Sequence, residues 1–246
     1  MLKLYKYSLG PILLLQSHRL RKTALRLPEA AGPRAGSIVS ANTARPLRLL
    51  FMGDSSAAGV GVDHQKHALA LQTATLLAEK LCITVEWQLL AKSGINTQQA
   101  LKLLQRSPPN PADILITALG TNDVTSQRSC KRFLEDYRTL VDRIKQQCGI
   151  HSVVVTGLPP LRILPAAPHP LRWYLGKYAA SLDSRLQQWV LSQACFRYIS
   201  LEWAAVPSDM ARDKFHPGLG QYRYWAQMVA DSITELLPQP TTQPAN

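Results

Sequence analysis

From Pro46 onward the chain alternates short apolar runs with longer stretches of helical periodicity, and few architectures accept that order. Strand–helix units repeated along a chain wind their strands parallel in one sheet and lay helices over both faces. The strand candidates are Leu47 to Met52, Ile83 to Leu90, Ile114 to Leu119, Val153 to Gly157 and a weaker Phe196 to Leu201. Helix candidates lie near Ala68 to Leu81, Thr97 to Gln105, Cys130 to Gln147, Leu171 to Ala194 and Gly220 to Leu237. In "CKRFLEDYRTLVDRIKQQ", Phe133, Leu134, Tyr137, Leu140, Val141 and Ile144 recur three and four apart, so that helix predicts an apolar stripe packed on the sheet. The expected fold is α/β, a three-layer α/β/α sandwich around a five-stranded, mostly parallel sheet. With 246 residues, 46% of them hydrophobic, the chain has material for one substantial core, placed over residues 47–237. Residues 28–46, rich in Pro, Ala, Gly and Ser, read as a linker, and 238–246 as a disordered tail.

The net charge of +12 raises the question of a nucleic-acid partner, and its distribution answers it. Eight Lys or Arg against Glu29 alone fall in the first 45 residues, which carry +7 of the total. The body keeps about +5, with no basic run interleaved with aromatics, so no nucleic-acid partner is expected. Cys82, Cys130, Cys148 and Cys195 show no Cys-x-x-Cys spacing and no nearby His, which excludes a zinc site and leaves them as small buried hydrophobes.

Residues 1–27 form a basic leader. Its only charge-free, mostly apolar stretch, Ser8 to Leu15, is far short of the roughly twenty residues a membrane span needs. No small-x-small cleavage site follows, as a secretory signal would require. Leu13, Leu14, Leu20, Ala24 and Leu27 recur at helical spacing with cations between them, the pattern of a helix lying in an anionic membrane interface. An amphipathic arm packed on the body, a frayed terminus or an uncleaved signal anchor remain alternatives. The expected location is accordingly membrane-associated, peripheral or N-terminally anchored, rather than free in the cytoplasm.

Parallel sheets bind ligands in the crevice beyond the carboxyl ends of their strands. Polar residues stand at those ends: Asp54 and Ser55 after the first strand, Ser93, Gly94 and Asn96 after the second, Gly120, Thr121, Asn122 and Asp123 after the third. A serine hydroxyl needs a base to become a nucleophile, an orienter for that base, and donors for the oxyanion that acyl transfer creates. Ser55, placed where a helix would start, supplies a hydroxyl and a backbone N–H, or serves as an ordinary N-cap. Gly59 and Gly61 would let the backbone pass beneath a substrate. Of six histidines, His216 alone has an acid at suggestive spacing, Asp213, on a loop favoured by Pro217 and Gly218. His18, His64, His67, His151 and His169 read as surface or loop residues, and a metal reading of His64 and His67 lacks a carboxylate-rich partner. Gly94 can offer a backbone N–H and Asn122 a side-chain amide to an oxyanion, although a turn glycine and a helix cap explain each alone.

Together "GDSSAAGVG", "SGIN", "LGTND" and "DKFHP" resemble, in order and spacing, the four sequence blocks of the SGNH (GDSL-type) serine hydrolases, a likeness covering about Leu47 to Val229. The resemblance implies a flavodoxin-like fold, Ser55 as nucleophile, Gly94 and Asn122 as oxyanion donors beside the Ser55 N–H, and Asp213 with His216 as acid and base. It makes Ser56 a bystander and gives Asp54 and Asp123 supporting roles. Ser56 stands where the commonest form has Leu. The activity implied is ester or thioester hydrolysis through an acyl-enzyme, with no cofactor and no metal, the substrate left open. An acyltransferase or carbohydrate acetylesterase using the same residues, and a non-catalytic lipid-surface binding protein, are the alternatives. In "GLPPLRILPAAPHPLRWYLGKY", Leu158, Leu161, Ile163, Leu164, Trp173 and Tyr174 could wall an acyl pocket or form a lid, or the segment could be a proline-stiffened connection. With the basic leader, an apolar pocket would favour lipid-like acyl esters.

Overall fold

A computed structural model of the chain describes residues 2–42 and 45–237, with side chains from residue 5. The tail expected at 238–246 lies outside the described residues. Two helices open the chain, α1 (Leu2–Ser8) and α2 (Gly10–Thr23), followed by strand β1 (Ala35–Ile38). The body then runs β2 (Leu47–Gly53), α3 (Leu69–Leu81), β3 (Val85–Ala91), α4 (Thr97–Arg106), β4 (Ile114–Ala118) and a short α5 (Thr121–Thr125). It continues through α6 (Cys130–Cys148), β5 (Ser152–Thr156), α7 (Leu171–Leu191), β6 (Phe196–Ile199) and α8 (Leu219–Leu236). The sheet order is β1-β3-β2-β4-β5-β6, with β2 to β6 parallel and β1 antiparallel to β3.

Strand periodicity builds the two cores. Along β2, Leu50 and Met52 face one apolar cluster with α4, α6 and α7, while Leu49 and Phe51 face the other with α3 and α8. Phe133, Tyr137, Leu140, Val141 and Ile144 of α6 are fully buried, as their spacing predicts, each contributing roughly 1.5–3 kcal/mol from burial. Because the chain passes from β2 outward to β3 and then back across to β4, the crevice between β2 and β4 is a topological switch point, where ligands of such sheets bind.

The sheet has six strands, not five, and the sixth lies inside the stretch read as a linker. Ala35 to Ile38 pairs with Gln88 to Val85, an edge strand whose mostly exposed residues leave no hydrophobic signal. Just before it, the Ala30 N–H donates to the Ala58 carbonyl (3.2 Å) and the Ala31 N–H to that of Asp63 (3.0 Å), so 28–38 is a strap laid over the body. The cysteines also depart from expectation: Cys148 is buried, but Cys82 and Cys195 are exposed because they sit at the end of α3 and in the turn before β6.

The leader packs on the body by one side. Leu13 is buried in the α6–α7 core and Leu20 packs against it, the Gln16 amide donates to the His169 carbonyl (2.7 Å) and accepts from Leu171 N–H (3.0 Å), and Tyr5 stacks edge-on against Trp173. Among the described residues no helix is long and apolar enough to cross a membrane.

Candidate active site

Three of the sequence-selected residues meet in one hydrogen-bonded chain. His216 Nε2 lies 2.8 Å from Ser55 Oγ, and His216 Nδ1 lies 2.6 Å from Asp213 Oδ2. Asp213 Oδ1 also accepts the backbone N–H groups of Phe215 and His216, both at 3.0 Å, in a turn that passes through left-handed Lys214 (φ 55°). That fold-back fixes the carboxylate against the imidazole, which is how two residues three apart share one side of a loop. The Ser55 side reaches the loop because Gly61 (φ 111°) lets the two backbones touch: a Cβ there would sit 2.2 Å from the Pro217 carbonyl oxygen.

Ser55 lies in a run of turns over residues 55–61, not at the start of a regular helix; after β2 a short 3-10 turn comes at Gln65–His67 and the first α-helix begins only at Leu69. The chain cannot enter a helix at once, because Gly59 and Gly61 both take positive φ. Gly59 packs against Ala30 and Ala68 and Gly61 against Pro217, so neither passes beneath a substrate as expected. The turn is pinned by Asp54, whose Oδ1 accepts the Ser56 N–H (3.1 Å), and by Tyr222 of α8, whose hydroxyl lies 2.8 Å from the carbonyls of both Ser56 and Val60. Tyr222 carried no sequence signal beyond an apolar helix face.

Asn122 stands on α5 with its amide already engaged, donating to Asp54 Oδ2 (3.2 Å) and to the Ile95 carbonyl (3.0 Å). It therefore ties together the ends of β2, β3 and β4. Gly94 occupies a left-handed turn (φ 80°) just before Ile95, with no atom within 4 Å of where a side chain would begin. Among the described residues, the N–H groups of Ser55 and Gly94 donate to no other protein group. Asp123 is buried beneath, accepting from the Thr97 N–H (2.9 Å) and hydroxyl (2.8 Å), with the Arg128 Nε 3.5 Å away.

The carboxylates differ in how tightly they hold a proton. Burial pushes Asp54 up to about 6, against the Ser56 N–H, the His216 charge and the Asn122 amide, which favour its ionised form. Burial likewise raises Asp123 to about 6 despite Thr97 and Arg128. Burial alone would raise Asp213 too, but the His216 ring, the His216 N–H and the Phe215 N–H outweigh it and hold that group below the usual range.

Beside Ser55 opens an apolar cleft of about 750 Å3, part of it open to solvent. Of the expected wall, Leu161, Ile163 and Leu164 line it; Leu158 instead packs under Gly120, Trp173 against Tyr5, and the Tyr174 hydroxyl donates to Gln127 (2.6 Å). Leu201, Trp203, Met210, Phe215 and Trp225, all outside the segment expected to wall a pocket, also line it. Gly94, Asn122 and His216 are not among the lining residues. The arrangement brings a hydroxyl, an imidazole and a charged carboxylate into line at the mouth of an apolar cleft, which is the equipment of acyl transfer.

The chain belongs to the GDSL-like lipase/acylhydrolase family, which it matches over residues 51–224, and is an enzyme that hydrolyses esters. Its fold is similar to that of the lipase Lip_vut3 from a goat rumen metagenome, at 18% identity and TM-score 0.63, covering 76% of this chain and 97% of that one. The esterase EstA from Pseudoalteromonas sp. superposes at TM-score 0.56 with 18% identity (76% and 97% covered). A carbohydrate acetylesterase from Sinorhizobium meliloti, Est24, does so at 0.54 with 17% identity (78% and 100% covered). No curated protein matches the chain in sequence.

Proposed function

We propose that the protein is a serine esterase that cleaves acyl esters or thioesters through an acyl-enzyme on Ser55. The observation that carries this reading is the unbroken line Ser55–His216–Asp213 at 2.8 and 2.6 Å. Ser55 Oγ attacks the substrate carbonyl and passes its proton to His216 Nε2, while Asp213 holds the ring and offsets its positive charge. The N–H groups of Ser55 and Gly94 take the oxyanion, and Asn122 joins them by exchanging its 3.2 Å link to Asp54 for the new negative charge. His216 then protonates the leaving group, and water releases the acyl chain by the reverse route. The apolar cleft accepts the acyl part, which favours lipid-like chains over sugar acetates. Ser55→Ala is expected to abolish hydrolysis of p-nitrophenyl acyl esters and labelling by a fluorophosphonate, while Ser56→Ala, which keeps the backbone links to Asp54 and Tyr222, retains most of both. The opposite pattern would overturn the assignment.

A second feature bears on where this chemistry happens. Tyr7, Ile12, Leu14, Leu15 and Leu25 are exposed, as are His18, Arg19, Arg21 and Lys22, and helical spacing puts Leu14, Leu15, His18 and Lys22 on the face of α2 away from the inward-turned Leu13 and Leu20. Exposed apolar side chains interleaved with cations fit an anionic bilayer surface, with the acyl region meeting the former and the headgroups the latter. In this reading the enzyme docks peripherally. Leu14→Asp with Leu15→Asp is expected to lower co-sedimentation with phosphatidylglycerol vesicles without changing hydrolysis of soluble esters, and unchanged partition refutes the docking.

A further inference from the structure

The strap before β1 holds two charged residues, Glu29 and Arg34, that bond each other, the end of β3 and the loop leading to Gly94. Glu29 Oε1 accepts the Ser93 N–H at 2.6 Å, its other oxygen pairs with Arg34, and Arg34 Nη1 donates to the Ala91 carbonyl at 2.6 Å. Ala91 is the last residue of β3, and Ser93 directly precedes Gly94. Glu29, Arg34 and residues 91–93 thus close a ring.

Both sides of that ring are anchored. On one side Ala30 and Ala31 are tied to Ala58 and Asp63, and Gln65 Nε2 donates to the carbonyls of Ala30 (3.3 Å) and Ala58 (3.1 Å). On the other, the Leu89 N–H donates to the Arg34 carbonyl (2.7 Å) and β1 pairs with β3. The strap therefore spans from the turn that bears Ser55 to the loop that bears Gly94.

Gly94 needs such help. It is left-handed, it has no Cβ, and nothing packs on its outer side, so its N–H direction depends on the peptides around it. After Gly94, the Ile95 carbonyl is fixed by Asn122. Before it, among the described residues, the one side chain bonded to the Ser93 N–H, one peptide ahead of the Gly94 N–H, is that of Glu29. An ion pair as exposed as Glu29–Arg34 adds little to global stability, which makes a positioning role separable from a structural one.

We propose that Glu29, braced by Arg34, is a positioning residue that aims the Gly94 N–H at the oxyanion, an inference that rests on the proposed reading of the site. Deleting an oxyanion donor typically costs about 100 to 1,000-fold in kcat, and a donor left in place but loosened costs less, so Glu29→Ala is expected to lower kcat about 10-fold or more. KM for a p-nitrophenyl ester stays within about twofold, because ground-state binding relies on the apolar cleft. Inhibition by an alkyl trifluoromethyl ketone, whose hemiketal oxyanion loads the same donors, weakens by the factor lost from kcat. Glu29→Gln, which keeps an acceptor for the Ser93 N–H, recovers most of the loss, and Arg34→Ala falls between the two. Unchanged kcat and unchanged ketone inhibition in Glu29→Ala overturn the proposal while the wild type remains active. So does a Glu29→Gln rate above wild type, which would make the effect one of charge. A wild-type chain that neither hydrolyses esters nor takes a fluorophosphonate label overturns the reading of the site and this inference with it.

Discussion

Two carboxylates sit within the same small site and hold their protons with very different strength. The Asp213 side chain is 3% exposed and Asp54 is 4% exposed, so removal from water weighs on both. Asp213 nonetheless stays below the usual carboxylate range while Asp54 rises to about 6. Asp54 is the more deeply enclosed of the two, and the donors differ as well: two backbone N–H groups and an imidazole able to carry positive charge for Asp213, one N–H and one neutral amide, with Asp123 close by, for Asp54. Burial sets the cost of a charge, and the donors arranged around it decide whether the charge survives. In the proposed reaction the loop after Ala211 holds a permanent anion against the base, whereas the turn after β2 holds a softer one against an amide that would later let go.

The most damaging way to break this contrast is to remove the permanent anion. Asp213→Asn should leave the loop folded, since Asn still accepts the Phe215 and His216 N–H groups, yet favour the wrong imidazole tautomer. A kcat loss on the order of 10,000-fold is expected by steady-state assay. A smaller loss follows from altering the soft anion. Asp54→Asn sets a donor against the Asn122 amide and should turn that amide away, costing on the order of 10 to 100-fold in kcat, less than outright loss of an oxyanion donor. A loss as large as that of Asp213→Asn would mean that the two carboxylates do the same work.

The smallest effect is on stability and sharpens the comparison by sign. Asp54 and Asp123 hold protons more tightly folded, at about 6, than at the ordinary 3.8. The stabilisation they give is complete below pH 3.8 and is lost as pH rises through about 6. Asp213 runs the other way, stabilising at pH values above 3.8 and less so as pH falls through its depressed value. Asp123→Asn should therefore gain on the wild type by up to roughly 3 kcal/mol between pH 4 and pH 7, measured by urea unfolding at each pH. A gap that does not change with pH refutes the raised values.

How much of this was legible in the sequence follows from the range of the forces involved. The parallel strands and long helices of the body show because burial imposes period 2 or 3.6 on neighbouring residues; α6 ends one residue beyond its expected limit. Asp213 and His216 show because their contact is local, and Ser55, Gly94 and Asn122 because strand ends converge in any such sheet. The edge strand β1 was hidden, since an exposed edge has no apolar period, and the leader's apolar residues gave no sign that Leu13 and Leu20 turn inward while Leu14 turns out.

By itself, then, the sequence determined the strand–helix order and the chemical kinds present at each strand end, because both are written in residues close along the chain. Only the tertiary structure decided how tightly each buried carboxyl holds its proton, that Asn122 is engaged with Asp54 and Ile95, that Tyr222 and Glu29 bond the turns beside Ser55 and Gly94, and which side chains wall the cleft. Those depend on groups up to 166 residues apart meeting within hydrogen-bond distance, and no local pattern encodes a contact that only the packed sheet and helices bring about.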